Sequence, residues 1–197
     1  MAIHTLDPAG TARVSDAGGL EERVRRLEDE LRKRDDLAAT TPKKMAIIAT
    51  KGTLDWAYPP LILAGTAASL GWEVGIFFTF YGLNIVHKTK SKSIGIVPVG
   101  NPAMPMPIPV PNLLGALPGM TPFATFMMKR KFKAKGVASI PELTELCFEA
   151  GVQMIPCAMT MDVFGYKEAD FMDGCQPIGG AAHFLSWASD ADVTLAF

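Results

Sequence analysis

Cys157 is the residue whose neighbours best equip it for chemistry. It ends the run Val152-Gln153-Met154-Ile155-Pro156-Cys157 and precedes Ala158-Met159-Thr160-Met161-Asp162. Val152, Met154 and Ile155 form a brief apolar run of strand length. Pro156 cannot donate to a sheet ladder, so the strand should stop there. Cys157 then stands just outside the carboxyl edge of a sheet, where open α/β sheets place their ligands. A helix over Ala158 to Gly165 would set the thiol beside unpaired N–H groups and the positive end of a helix dipole. That setting favours the thiolate, the form that reacts. The competing reading is a buried apolar filler, the usual role of a free cysteine.

Other candidates gather around this one. The N–H groups of Met159 and Thr160 would stabilise the anion. The Thr160 hydroxyl either adds a bond or only caps the helix. Gly52 and Thr53 lie in the turn after the first strand, at the same sheet edge, and could line the site. Lys51-Gly52 lacks the full phosphate-loop pattern. Asp162 is a favourable first-turn acid rather than a catalytic group, because an acid near a thiolate raises its pKa. Cys147 falls on the apolar side of a helix and reads as core filler. The three cysteines and three histidines show no metal-ligand spacing, and no cofactor is implied.

The elements that position these residues alternate in type. Lys43 to Thr50, Glu73 to Thr79, Val152 to Ile155 and Ala191 to Phe197 read as strands. Trp56 to Leu70, Phe123 to Lys135, a segment opened by Ser139-Ile140-Pro141-Glu142, and Ala181 to Ala188 read as helices. Such alternation predicts a three-layer α/β/α domain with a mainly parallel sheet over 43–197. Residues 1–19 read as a disordered tail. Within 20–42, Leu20, Val24, Leu27 and Leu31 recur at coiled-coil spacing among charged residues, so this helix pairs with another subunit, lies on its own domain, or is a solvated surface helix. Residues 88–122 read as an insertion with alternating proline and apolar residues, which excludes helix and central strand. A flap on a neighbouring subunit or over the reactive edge is the favoured reading, and a membrane-touching arm the sharper alternative.

The formal net charge of −1 gives no bulk field for nucleic acid. Three cysteines cannot all pair, and Met1 to Gly19 lacks the apolar core of a secretory leader, so the reducing cytoplasm is the expected compartment. Mean hydropathy is +0.21, and Pro59 to Leu83 is apolar apart from Glu73. A membrane span needs about 20 such residues. Gly71-Trp72-Glu73 instead suggests a buried helix turning into a buried strand.

Several segments together resemble the DsrE/DsrF-like family of sulfur-relay proteins, in particular its larger, peroxiredoxin-like-labelled branch. They are Met45-Ala46-Ile47-Ile48 with Gly52-Thr53-Leu54-Asp55, Phe77-Phe78-Thr79-Phe80-Tyr81-Gly82-Leu83, Leu117-Pro118-Gly119-Met120, Cys157-Ala158-Met159-Thr160-Met161-Asp162-Val163 and Ala191-Asp192-Val193-Thr194-Leu195. The resemblance spans Lys43 to Phe197. It implies a flavodoxin-like fold, a homo-oligomer, and a cysteine carrying sulfane sulfur as a persulfide between donor and acceptor proteins. Cys157 matches that cysteine. The amino-terminal helix lies outside the family pattern, and Cys175 stands where the pattern has an apolar residue. The alternative function is a non-catalytic oligomeric assembly module, membrane-associated through 88–122, with an inert Cys157. A thiol peroxidase is disfavoured, since no Thr-x-x-Cys motif accompanies Cys157.

Overall fold

The computed structural model describes residues 17–96, 119–175 and 178–197. Four parallel strands, β1 (Lys44–Ala49), β2 (Glu73–Phe78), β3 (Gln153–Pro156) and β4 (Val193–Ala196), form one sheet in the order β3-β2-β1-β4. Parallel neighbours need crossovers, which helices supply. α2 (Leu54–Ser69) joins β1 to β2. α3 (Leu83–Val86), α4 (Lys90–Ser93), α5 (Met120–Ala134) and α6 (Ile140–Glu149) lie between β2 and β3. α7 (Ala158–Phe164) and α8 (Ala181–Ala188) lead to β4.

Alternation along the strands divides the core in two. Met45, Ile47, Ala49, Val74, Ile76, Phe78 and Met154 pack with Leu61, Ala64 and Cys147 of α2 and α6. Ala46, Phe77 and Ile155 face the other way and pack with Cys157 and Phe184 of α8. These faces make the three layers expected of the sequence. The apolar run from Pro59 to Leu83 contains most of α2, a turn at Gly71 (φ 82°) and β2. No helix among the described residues is long and apolar enough to cross a membrane.

The expected insertion over 88–122 needs correcting at both ends. Lys90–Ser93 is a helical turn, and Ile94 and Ile96 are buried. The Ile96 N–H donates to Thr125 Oγ1 at 3.1 Å, and the Leu54 N–H to the Gly95 carbonyl at 2.9 Å. The two isoleucines thus anchor this stretch in the core before the proline alternation begins. At the far end α5 starts at Met120, so Thr121 and Pro122 lie inside its first turn, where a missing N–H is tolerated. Residues 97–118, which carry the proposed flap or membrane arm, fall outside the described residues.

The amino-terminal helix α1 (Ala17–Thr40) is a unit of its own, divided from the α/β domain after Pro42. It begins three residues before the expected start at Leu20. Leu20, Val24, Leu27 and Leu31 are all exposed on it. The expected tail over 1–16 lies outside the described residues.

Candidate functional site

Pro156 closes β3 after four residues, and the register with β2 decides what comes next. Phe77 pairs with Ile155 and Phe78 with Pro156. Thr79 and Cys157 therefore emerge side by side beyond the two strand ends. The Cys157 N–H donates to the Phe78 carbonyl (2.9 Å), and the Thr79 N–H to the Ala49 carbonyl (3.0 Å). On the other side Gly179 forms a bridge to Cys157, its N–H donating to the Pro156 carbonyl (3.2 Å). Cys157 is the N-cap residue of α7, and its carbonyl accepts the Met161 N–H at 3.0 Å. The backbone on which the thiol sits is thereby held on both flanks.

Thr160 is buried one turn into α7. Its Oγ1 lies 3.0 Å from Thr79 Oγ1 and accepts the Phe80 N–H at 3.3 Å. One hydroxyl of the Thr79–Thr160 pair donates to the other, which leaves one proton of the pair for the sulfur. Phe80 adopts φ 47°, a value glycine takes readily and phenylalanine rarely; it is the one non-glycine with positive φ among the described residues. Such strain persists only where the surroundings impose it, and it gathers at working sites.

Burial pushes the Cys157 thiol up, but the donors outweigh it. The Thr160 hydroxyl and N–H, the Thr79 hydroxyl and the Met159 N–H together bring its pKa below the ordinary thiol value. The other cysteines move the opposite way. Burial raises Cys147 to about 11, and its Sγ donates to the Leu61 carbonyl at 3.3 Å. Burial, with Asp173 adding to it against a Met172 backbone bond, raises Cys175 to about 12.

The thiol is less open than a rim position suggests. Cys157 is 4 % exposed and packs against Ala46, Phe77, Ile155 and Phe184. The open surface beside it is apolar: Met159 is 63 % exposed, and Phe80, Tyr81 and Val163 are exposed with it.

The expected residues divide into two groups. Met159 and Thr160 bond the thiol, as does Thr79, which the sequence reading did not single out. Gly52 and Thr53 belong to the neighbouring turn. A Cβ on Gly52 would lie 2.1 Å from the Tyr81 carbonyl oxygen, and one on Gly82 2.1 Å from that of Ala49. These two close approaches press the Phe80–Gly82 turn onto the end of β1. Thr53 is the N-cap of α2, and its carbonyl accepts the N–H groups of Trp56 (3.1 Å) and Ala57 (2.9 Å). No group of three or more His, Cys, Asp or Glu able to hold a metal occurs among the described residues.

Fold and site together define a class: parallel α/β proteins with one cysteine activated at the carboxyl edge of the sheet. Comparison with known proteins gives the class a family. Residues 41–196 match the model of the DsrE/DsrF/DrsH-like family, and the chain belongs to that family. It is 55 % identical over 157 residues to the sulfur carrier protein DsrE2 of Allochromatium vinosum, covering 78 % of this chain and 97 % of that one. It is 32 % identical over 163 residues to the uncharacterized protein YrkE of Bacillus subtilis, covering 78 % and 96 %. The crystal structure of the ychN protein from E. coli shares the fold, with a TM-score of 0.50 at 15 % identity over 79 % of this chain and 99 % of that one.

Proposed function

We propose that this protein is a sulfur carrier that holds sulfane sulfur as a persulfide on Cys157. The observation that carries the reading is the asymmetry among its thiols: donors surround Cys157, whereas burial raises Cys147 and Cys175. The 55 % identical relative, named as a sulfur carrier, supports it. In the reaction the Cys157 thiolate attacks the outer sulfur of a donor persulfide. The donor S–S bond breaks, the Cys157 S–S bond forms, and the donor leaves as a thiolate. An acceptor thiolate then takes the same sulfur and returns Cys157 to its starting form. No electron is gained or lost overall, and the fraction of thiolate and its accessibility set the rate.

The apolar rim of Phe80, Tyr81, Met159 and Val163 is where a donor or acceptor protein meets the site, with Gly52 and Thr53 supporting it from the adjacent turn. Docking there displaces the side chains that cover the sulfur. A homo-oligomer assembled in part through the α1 stripe, in a reducing cytoplasm, completes the reading. One observation favours the assembly-module alternative with an inert thiol: the 4 % exposure of Cys157. The two separate in one experiment. The protein is incubated with thiosulfate and a rhodanese, and its peptides are weighed under non-reducing conditions. The carrier gains one sulfur atom on the Cys157 peptide, and the Cys157→Ser variant gains none there. Sulfur on Cys147 or Cys175 but never on Cys157 contradicts it.

A further inference from the structure

A cavity of about 440 Å³ lies between the first turns of α2, the α4 turn, the second half of α5 and the start of α6. It shares no lining residue with the thiol site, and its size suits a small organic ligand. Three lysines line it, Lys92, Lys129 and Lys133, against one acidic residue, Glu142. That carboxylate already accepts the Ser139 N–H (2.7 Å) and the Ser139 hydroxyl (2.9 Å). Lys129 Nζ donates to the Lys92 carbonyl at 3.2 Å, which fixes one cation in place and leaves it further N–H groups for a ligand. Lys129 and Lys133 stand one turn apart on α5, a spacing at which like charges repel unless an anion lies between them.

A second observation is independent of charge. Ser91 also lines this cavity, is 2 % exposed, and its Oγ has no hydrogen-bond partner among the described residues. Buried hydroxyls are nearly always paired, so this orphan in a wall residue marks a missing acceptor, which reaches the shut-off Oγ as the wall shifts. Apart from Ser139, the rest of the wall is largely apolar. Tyr58 presents its ring, its hydroxyl being taken by the Ala138 carbonyl (3.0 Å), and Phe132 packs edge-on against it at 4.9 Å.

We propose that this cavity binds a small organic phosphate: a dianionic head held by Lys92, Lys129, Lys133 and the Ser91 hydroxyl, with an apolar or aromatic body against Tyr58 and Phe132. The excess of two positive charges matches a phosphate dianion better than a carboxylate, and lysine serves phosphate as a point charge. The volume and the apolar wall exceed what a bare ion uses.

Calorimetric titration of the full chain with phenyl phosphate tests this, with inorganic phosphate and benzoate as comparisons. Saturable binding of phenyl phosphate is expected, about tenfold tighter than either comparison. The Lys129→Gln/Lys133→Gln variant should lose about tenfold or more in affinity. Ser91→Ala should lose several-fold, about tenfold at most, while its thermal midpoint stays level or rises, because an unpaired buried hydroxyl has been removed. Cys157→Ser should bind as the wild type does, which keeps this result separate from the sulfur reading. Absence of saturable binding overturns the proposal. So does unchanged affinity in the lysine variant, or a Ser91→Ala protein that is destabilised yet binds normally.

Discussion

Cys157 and Cys147 are both buried, both packed in apolar clusters, and chemically opposite. The difference lies in how many donors reach the sulfur. The Cys147 thiol donates to the Leu61 carbonyl, and a single backbone bond from Gly65 is too little to offset burial. Cys157 meets several donors, from the Thr160–Thr79 hydroxyl pair and from two backbone N–H groups, which favour the charge left when the proton goes. Burial raises both thiols; only donors reverse it. Depth in the fold is therefore a poor guide to thiol chemistry, and the polarity of the immediate neighbours a good one.

The sharpest break in this comparison is kinetic. At pH 8 a thiol raised to about 11 is only about one part in a thousand thiolate. Cys157 should therefore be alkylated by iodoacetamide at least about a hundredfold faster than Cys147 in the native protein. Peptide mapping of quenched time points measures both rates at once, and equal rates would erase the distinction.

Two glycines sharpen it next. Gly52 sits under the turn that carries the Phe80 N–H, and a Cβ there would collide with the Tyr81 carbonyl at 2.1 Å. Gly52→Ala should cost about 2 kcal/mol in urea unfolding and slow sulfur loading. Gly65 faces Cys147, where a Cβ would meet Sγ at an ordinary 3.5 Å. Gly65→Ala should leave loading unchanged and stabilise α2 by up to about 1 kcal/mol.

The donors themselves come third. Thr160→Val raises the Cys157 pKa and should slow loading at pH 7 by about tenfold. Thr79→Val acts in the same direction and less strongly, because its hydroxyl contributes less than the Thr160 groups. Loading rates followed across pH separate a shifted pKa from a misfolded site.

The smallest effect is on stability against pH, and its sign differs between the two cysteines. Cys157 is more acidic folded than unfolded, so its contribution is present above the ordinary thiol pKa of about 8.5 and lost as pH falls through the folded value. Cys147 is less acidic folded, so its contribution is present below about 8.5 and lost as pH rises toward about 11. Denaturant midpoints of Cys157→Ala and Cys147→Ala, each subtracted from wild type between pH 6 and 10 (about the range in which thiols titrate), should drift in opposite directions.

Much of this arrangement was legible in the sequence, because it depends on local rules. Strands β1 to β3 follow from apolar runs bounded by Gly and Pro, and the place of Cys157 after β3 follows from Pro156. Thr79 was not legible. Its role depends on β2 lying beside β3 with Phe78 opposite Pro156, and one chain does not state which strands are neighbours or in what register. The cover over Cys157 was hidden for the same reason, since Phe184 arrives from a helix 27 positions later. The start of the proline-rich insertion was misplaced because Ile94 and Ile96, read as part of an extended arm, are core residues.

Cyanide offers the most direct test of the carrier itself, because it removes sulfane sulfur as thiocyanate and leaves ordinary thiols alone. Wild-type protein loaded from thiosulfate and a rhodanese, then freed of donor, should release thiocyanate in equal amount to the chains present. Cys157→Ser, treated identically, should release none. Equal thiocyanate from both proteins would show that the sulfur rests elsewhere and that Cys157 carries nothing.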